Sequence, residues 1–226
     1  NSFCTLLAPP APLAPPLPNS LIVVTANDMS QYDQAARDLW TKLGIEPPES
    51  RSSGADASRY GRYASMGSMS PIYKHPKGGG TIYVGDVSSS RDLGLLQSKG
   101  VTHVVNCTHG IGELPNCHEG VLKYYRFPIS EWRAHVDVNR PETATLFTAR
   151  LWPFIDEAIE NGHSVLVHCL AGAHRAGTTG TSCLIHYAGL DVDTAIKTAK
   201  KLRPIIDPIC DLPRYLEAVY RSEASR

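Results

Sequence analysis

The 226 residues hold no run of about 18 consecutive apolar positions, so no segment is long enough to cross a bilayer as a helix. Neither charge is in surplus: 22 Lys and Arg stand against 22 Asp and Glu, for a formal net charge of zero. That balance removes the broad basic field that would attract nucleic acid or an anionic membrane, and neither is expected as a partner. Cysteine is present but not in pairs. The six cysteines, at positions 4, 107, 117, 169, 183 and 210, contain no CxxC spacing. A zinc site, or any other metal, is therefore not expected, and a chain of this length needs no disulfide staples. A reducing cytoplasmic setting, or the nucleus, follows. Cys107 and Cys117 flank one loop and are the candidates for pairing under oxidation, while Cys183 and Cys210 are expected as buried structural thiols. The first 20 residues lack the basic start of a secretory signal and are rich in proline instead, which reads as a disordered or polyproline leader. No internal repeat is present.

With 42% hydrophobic residues the chain can bury one sizeable core and hardly two. After the leader come an apolar LIVV stretch at 21–24 and a segment in which Tyr32, Ala35, Ala36, Leu39, Trp40 and Leu43 recur at steps of three and four. That period predicts an amphipathic helix, capped near Ser30, stopped by Gly44 and able to dock on the main domain. Residues 46–80 turn to Ser, Gly, Pro and Tyr and read as a solvated linker, so the extension is placed at 21–80 and the main domain at 81–226.

From Thr81 onward short apolar strands alternate with helices. TIYVG, VTHVVNC, LKYYRFPI and SVLVHC are strands; SSRDLGLLQSKG, one long helix over RPETATLFTARLWPFIDEAIENG, AGTTGTSCLIHYAG, VDTAIKTAKKLR and LPRYLEAVYRSEA are helices. Continuous apolar strands between helices predict an α/β fold, a single domain with a mostly parallel twisted sheet covered on both faces.

One stretch carries chemistry. In SVLVHCLAGAHRAGTTG an apolar strand ends at Cys169, and a short loop with Gly172 opens into a helix at Arg175. Ligands of open α/β sheets sit beyond the carboxyl ends of the strands. The helix start presents free N–H groups and partial positive charge, and the small residues Ala171, Gly172 and Ala173 let the backbone curl around a phosphate-sized anion. The same field favours a thiolate at Cys169. Arg175 is suited to gripping two phosphoryl oxygens with its planar guanidinium.

HCLAGAHR resembles the Cys-x5-Arg signature of the protein tyrosine phosphatase superfamily. The segments IYVGDVSSSRDLGLLQSKGVTHVVNCT, LPNCHEGVLKYYRFPIS, FIDEAIENGHSVLVHCLAG and AIKTAKKLRPIIDP resemble the dual-specificity phosphatases in particular, over about residues 81–223. The resemblance implies a phosphatase-like fold and in-line attack by Cys169 on phosphorus. Arg175 and the loop N–H groups of Leu170, Ala171, Gly172, Ala173, His174 and Arg175 would hold the phosphoryl oxygens, and no cofactor would take part. It also implies that His168 hydrogen-bonds beneath the nucleophile or serves the fold alone.

Two positions depart from the family pattern. The family's general acid is an aspartate just after the strand that here reads YYRFPIS, where this chain has Glu131. Position along the strand favours Glu131. Residue type, and a separation of 32 residues from Cys169, favour Asp137, which is the preferred expectation. Arg133 and His135 on the same loop are candidates for substrate contact. After the arginine the family has Ser or Thr, whose hydroxyl helps the thiolate leave; Ala176 cannot donate, which predicts slow breakdown of the intermediate unless Thr178 or Thr179 substitutes.

Three functions are compatible with these residues: a phosphatase of phosphotyrosine and phosphoserine or phosphothreonine in proteins, with a shallow pocket; a phosphoprotein-binding pseudophosphatase; and a phosphatase of a non-protein substrate. The absence of lysine in the loop speaks against the last.

Overall fold

The computed structural model describes residues 30–44 and 67–225. The leader, the LIVV stretch, Cys4 and the expected linker from 46 to 66 lie outside the described residues. Helix α1 (Gln31–Leu43) begins on Ser30, whose side chain accepts from the Asp33 N–H, and ends on Gly44 in the left-handed region, as the spacing predicts. Strand β1 (Met69–Lys74) follows, then β2 (Thr81–Gly85), the short helices α2 (Val87–Arg91) and α3 (Leu93–Ser98), and β3 (Val101–Asn106). Next come β4 (Lys123–Arg126), a 3₁₀ segment (Ile129–Ala134), α4 (Glu142–Thr148), α5 (Leu151–Ile159) and β5 (Ser164–His168). Helices α6 (Arg175–Ala188), α7 (Val192–Leu202) and α8 (Leu212–Ala224) close the order.

The sheet runs β1-β2-β5-β3-β4, with β1 antiparallel and the other ladders parallel. The mixed α/β class and the mostly parallel sheet agree with the sequence reading. Central β5 is buried at all five positions, and its residues alternate between faces. Val165 and Val167 join Ile82, Val84 and Val105 against Leu151, Ile155, Tyr215 and Leu216 of the helices on one side. Leu166 joins Val104, Leu96 and Leu122 on the other.

Three expectations are corrected. The segment up to Gly80 is not all linker, because β1 pairs with β2 from Met69 to Lys74; the folded body therefore begins before residue 81. Pro71 is tolerated there because β1 is an edge strand with a bulge between Pro71 and Tyr73. The single long helix over 140–162 is two helices, with Ala149 and Arg150 between them. Pro153, third residue of α5, has no N–H and its ring crowds the Ala149 carbonyl four residues back, which stops the upstream helix from running on. Cys210 is exposed and left-handed (φ 57°), whereas Cys183 is buried as expected. Cys107 is buried and Cys117 exposed, both as free thiols.

Parallel register aligns the strand ends: His168 lies opposite Gly85 on one side and Asn106 on the other. The residues that follow, Asp86, Cys107 and Cys169, thus leave the sheet along one edge. Helix α6 packs directly on this sheet. A methyl group on Gly180 would lie 2.3 Å from Val84 Cγ2. Gly180→Ala should lower stability by about 1–3 kcal/mol in urea unfolding, the usual cost of overpacking; unchanged stability would mean that helix and strand part freely at this point.

Candidate active site

The curl after β5 is shaped by a close approach. Gly172 is left-handed (φ 66°), and a Cβ there would stand 2.6 Å from the Gly85 carbonyl oxygen, so no side chain fits. Arg203, just past α7 and buried to 1% exposure, reaches under the curl. Its Nε donates to the Gly172 carbonyl (3.1 Å) and its Nη2 to the Ala171 carbonyl (3.4 Å), while Nη1 reaches Ser70 Oγ (3.3 Å). Burial pulls the Arg203 pKa down, and the charges of Asp86 and Cys169 pull it up. In a trans peptide C=O and N–H point oppositely. With the carbonyls of Ala171 and Gly172 turned out to Arg203, the N–H groups of Gly172 and Ala173 face into the curl. The Leu170 carbonyl accepts from the Val87 N–H (3.1 Å) and the Ala173 carbonyl from that of Asp207 (3.1 Å), and His174 Nδ1 donates to the Asp207 carbonyl (2.7 Å). The loop is therefore pinned at both ends and from beneath.

Arg175, the first residue of α6, is 1% exposed. Its Nη2 pairs with Asp33 of α1, and its guanidinium lies 5.7 Å from the Tyr32 ring centre. Its Nε and Nη1 are buried without hydrogen-bond partners. Ala36 and Trp40 of α1 pack against Leu170, Ala171 and Ala173 of the loop, together with Val87 and Ile205. The Tyr32 hydroxyl donates to Asp211 (3.3 Å), and burial beside that carboxylate pushes its pKa up to about 12. Helix α1 thus lies across the mouth of the loop, and neither Asp33 nor Arg203 was picked out from the sequence. Asp33 was legible only as a residue of the docking helix, and Arg203 sits in an ordinary basic helix end.

His168 is fully buried, and neither ring nitrogen makes a hydrogen bond of ordinary geometry; of the two expectations, a bond beneath the nucleophile or service to the fold alone, the geometry fits the second. Burial, with Arg126 and Arg175 adding repulsion against a weaker pull from the Cys169 backbone, lowers its pKa to about 3, so the ring is neutral. Cys107 donates to Thr179 Oγ1 (3.4 Å), and burial pushes its thiol pKa well up.

The acid candidates lie in different settings. The 3₁₀ segment carries Glu131, whose Oε1 is 2.6 Å from His109 Nδ1. His109 belongs to the loop after β3, which Asn106 and Arg126 hold through bonds to the carbonyls of Leu114 (2.9 Å) and Thr108 (2.8 Å). The same loop sets Gly112 against Asp33; a Cβ on Gly112 would stand 2.0 Å from Asp33 Oδ2. Glu131, through His109, and Asp33, through Gly112, therefore both meet the loop after β3, and Asp33 in turn pairs with Arg175. Asp137 is exposed and capped into the turn before α4: its carboxylate accepts from the Asn139 N–H (2.9 Å), and its own N–H donates to Thr143 (2.9 Å). Arg133 pairs with Asp211, and His135 stacks on Phe147 with ring centres 5.5 Å apart.

Ala176 is fully buried. Thr178 donates to the His174 carbonyl (2.7 Å) and Thr179 to the Arg175 carbonyl (3.0 Å), so both hydroxyl protons go to the helix and neither replaces the missing donor. Among the described residues no three His, Cys, Asp or Glu side chains gather as a metal site requires.

The family model described as the dual specificity phosphatase catalytic domain matches residues 82–222. Dual specificity protein phosphatase 6 of Homo sapiens is 32% identical over 130 residues, covering 56% of this chain and 31% of that protein. Dual specificity protein phosphatase 2 of Mus musculus is 32% identical over 127 residues, covering 56% and 37%. The chain thus spans about a third of the length of these relatives. Among solved structures, a mouse protein described as a dual specificity phosphatase, complexed with zinc tungstate, aligns with TM-score 0.53 at 20% identity, covering 70% of this chain and 89% of that one. A leucine rich repeat and phosphatase domain containing protein from Entamoeba histolytica aligns with TM-score 0.50 at 15% identity, covering 69% and 94%. At these identities the two structures support the fold.

The neutral, buried His168 makes stability depend on pH. Below its ordinary value of 6.5 the unfolded chain takes up a proton that the folded chain refuses until about pH 3, so stability falls as pH drops through that window. Urea unfolding should lose about 2–3 kcal/mol more between pH 6.5 and 4.5 in the wild type than in His168→Asn. Equal losses would mean that the ring takes up its proton in the folded state.

Proposed function

Because the chain belongs to the dual-specificity phosphatase catalytic-domain family, we propose that it hydrolyses phosphate monoesters of tyrosine and of serine or threonine in proteins, through a phosphocysteine. The observation that carries this reading is the buried guanidinium of Arg175, with two unpaired donors, opening the helix that follows Cys169 and its inward-facing N–H groups.

The Cys169 thiolate attacks phosphorus; the S–P bond forms as the P–O bond to the leaving oxygen breaks. Arg175 and the loop N–H groups hold the three equatorial oxygens as charge moves through them. The leaving oxygen takes a proton from Glu131. Water then attacks phosphorus, gives a proton to the Glu131 carboxylate, and breaks the S–P bond, releasing phosphate and the thiolate. Glu131 rather than Asp137 is assigned as the acid. What supports it is the loop after β3, which holds Glu131 at His109 and meets Asp33, the partner of Arg175, at Gly112, against an Asp137 carboxylate engaged in the turn before α4. A reducing cytoplasmic or nuclear setting would keep Cys169 as the thiol. The second half-reaction is the slower one, because Ala176 offers the leaving sulfur no hydroxyl.

The test is phosphate release from an aryl phosphate and from a bisphosphorylated peptide. Cys169→Ser should abolish it. Glu131→Gln should lose about 100- to 10,000-fold on poor leaving groups, together with the basic limb of the pH profile, while Asp137→Asn stays near wild type. The reverse pattern would return the acid role to Asp137. Turnover of the wild type no greater than that of Cys169→Ser would favour a phosphoprotein-binding module instead. Ala176→Ser should speed breakdown of the trapped phosphocysteine by about tenfold, the rate equivalent of one hydrogen bond, in single-turnover quench experiments. An unchanged breakdown rate would remove the hydroxyl from the account.

A further inference from the structure

The mouth of the loop is closed by the chain itself. Cys169 is 3% exposed, and Leu170, Ala171, Ala173, His174 and Arg175 are each at or below 5%. The cover is α1: Trp40 and Ala36 lie on the small side chains of the curl, Tyr32 faces the guanidinium, and the Asp33 carboxylate takes Arg175 Nη2. A phosphoryl group on a protein side chain would need that same Nη2 and the space above the curl. We propose that α1 is an intramolecular pseudosubstrate, in which the Asp33 carboxylate occupies the phosphate subsite on Arg175 and must leave before substrate enters. This rests on the reading of the loop as a phosphoryl-transfer site.

The chemistry of the contact fits displacement and not permanent closure. A carboxylate is a planar monoanion with two oxygens. It satisfies one donor of Arg175 and leaves Nε and Nη1 buried and unpaired. A phosphate monoester dianion carries more charge and three terminal oxygens, enough to reach those donors and the inward N–H groups as well. The carboxylate thus completes the buried charge pair in the resting molecule, and the better anion competes for it. Around the pair, Ser30 donates to Asp33 Oδ2 (2.7 Å) and Gly112 closes the far side, which fixes the carboxylate on the guanidinium. The seat of Ala36 and Trp40 holds the helix down by apolar burial, independently of charge. The closed state therefore has two separable supports, the Asp33 carboxylate and the Trp40 side chain.

The experiment compares the full chain with Asp33→Asn, which removes the charge at nearly constant shape, and Trp40→Ala, which loosens the helix without touching Arg175. Circular dichroism and thermal melting check that the body stays folded. Two readouts do not require turnover: the rate at which iodoacetamide alkylates Cys169, followed by peptide mass spectrometry, and the concentration of orthovanadate that protects Cys169 from it. Turnover of an aryl phosphate is the third. If the site is open in a tenth of molecules or fewer, apparent affinity is reduced by that fraction. Both variants should then alkylate faster and bind orthovanadate about tenfold or more tightly, with kcat/KM rising in step. Faster alkylation and tighter orthovanadate binding with no turnover in any variant would uphold the pseudosubstrate contact and defeat the phosphatase reading. Measurable turnover with alkylation and orthovanadate affinity unchanged or lowered in both folded variants would overturn the proposal, leaving Asp33 as a residue that positions Arg175.

Discussion

The left-handed turn at Gly172, pressed against the carbonyl of Gly85, is the constraint on which the site depends. The parallel register of β2 and β5 brings the two strand ends level, so the chain leaving β5 has to pass over the end of β2 within the first residues of the loop. With no Cβ at 172 it can pass at contact distance, and the loop carbonyls then turn outward, where Arg203 takes them. The peptide N–H groups have no choice but to face inward. The proposed anion binding is in this sense a by-product of how tightly two strand ends and one arginine hold a glycine.

Burial then raises the stakes for Arg175. A guanidinium at 1% exposure with two unpaired donors is costly, because desolvation of each polar group has to be offset by a partner. Removing one member of a buried ion pair typically costs about 3–5 kcal/mol, because the charge left behind is buried and uncompensated. Asp33 accordingly does more for this fold than a surface ion pair would, and the same energetic need that holds it there is what a phosphate dianion would exploit. The apolar contact of Trp40 and Ala36 with the loop sets the closed geometry, and the charge decides what occupies it.

Much of this was legible in the residue order. The loop and its flanking strand and helix are consecutive in the chain, so periodicity, the glycine and the helix start could be read together from local signals. Helix α1, from its Ser30 cap to Gly44, was legible for the same reason. What escaped was either overridden or non-local. Strand β1 contains Ser70 and Pro71 in a polar, glycine-flanked stretch, and only its place at the sheet edge lets such a composition form a strand. The break between α4 and α5 was legible in Pro153, because a helix reaching that residue from upstream meets a ring with no N–H, but the single helix was read from Pro141 at its start and Gly162 at its end. Asp33 meets Arg175 across 142 residues, a pairing that no spacing rule encodes. Arg203 reads as one more cation after two lysines until the Gly172 carbonyl is seen beside it.

The departures at Glu131 and Ala176 bear on opposite halves of the proposed reaction. Glutamate is one methylene longer than aspartate, and on the 3₁₀ segment its carboxylate meets His109, a partner that fixes an otherwise flexible acid. In the proposed mechanism the proton donor is thereby held, and the first half-reaction keeps its machinery. At 176 there is no such compensation. Threonines within a helix bond back to the carbonyl four residues earlier, and Thr178 and Thr179 both do so. Turning either hydroxyl toward the sulfur would forfeit a bond in a fully buried helix. In the proposed mechanism the thiolate must therefore be stabilised as a leaving group by backbone N–H groups and Arg175 alone. An enzyme built this way would accumulate the phosphocysteine, and a helix that closes over the emptied site would take hold of Arg175 only after phosphate had gone.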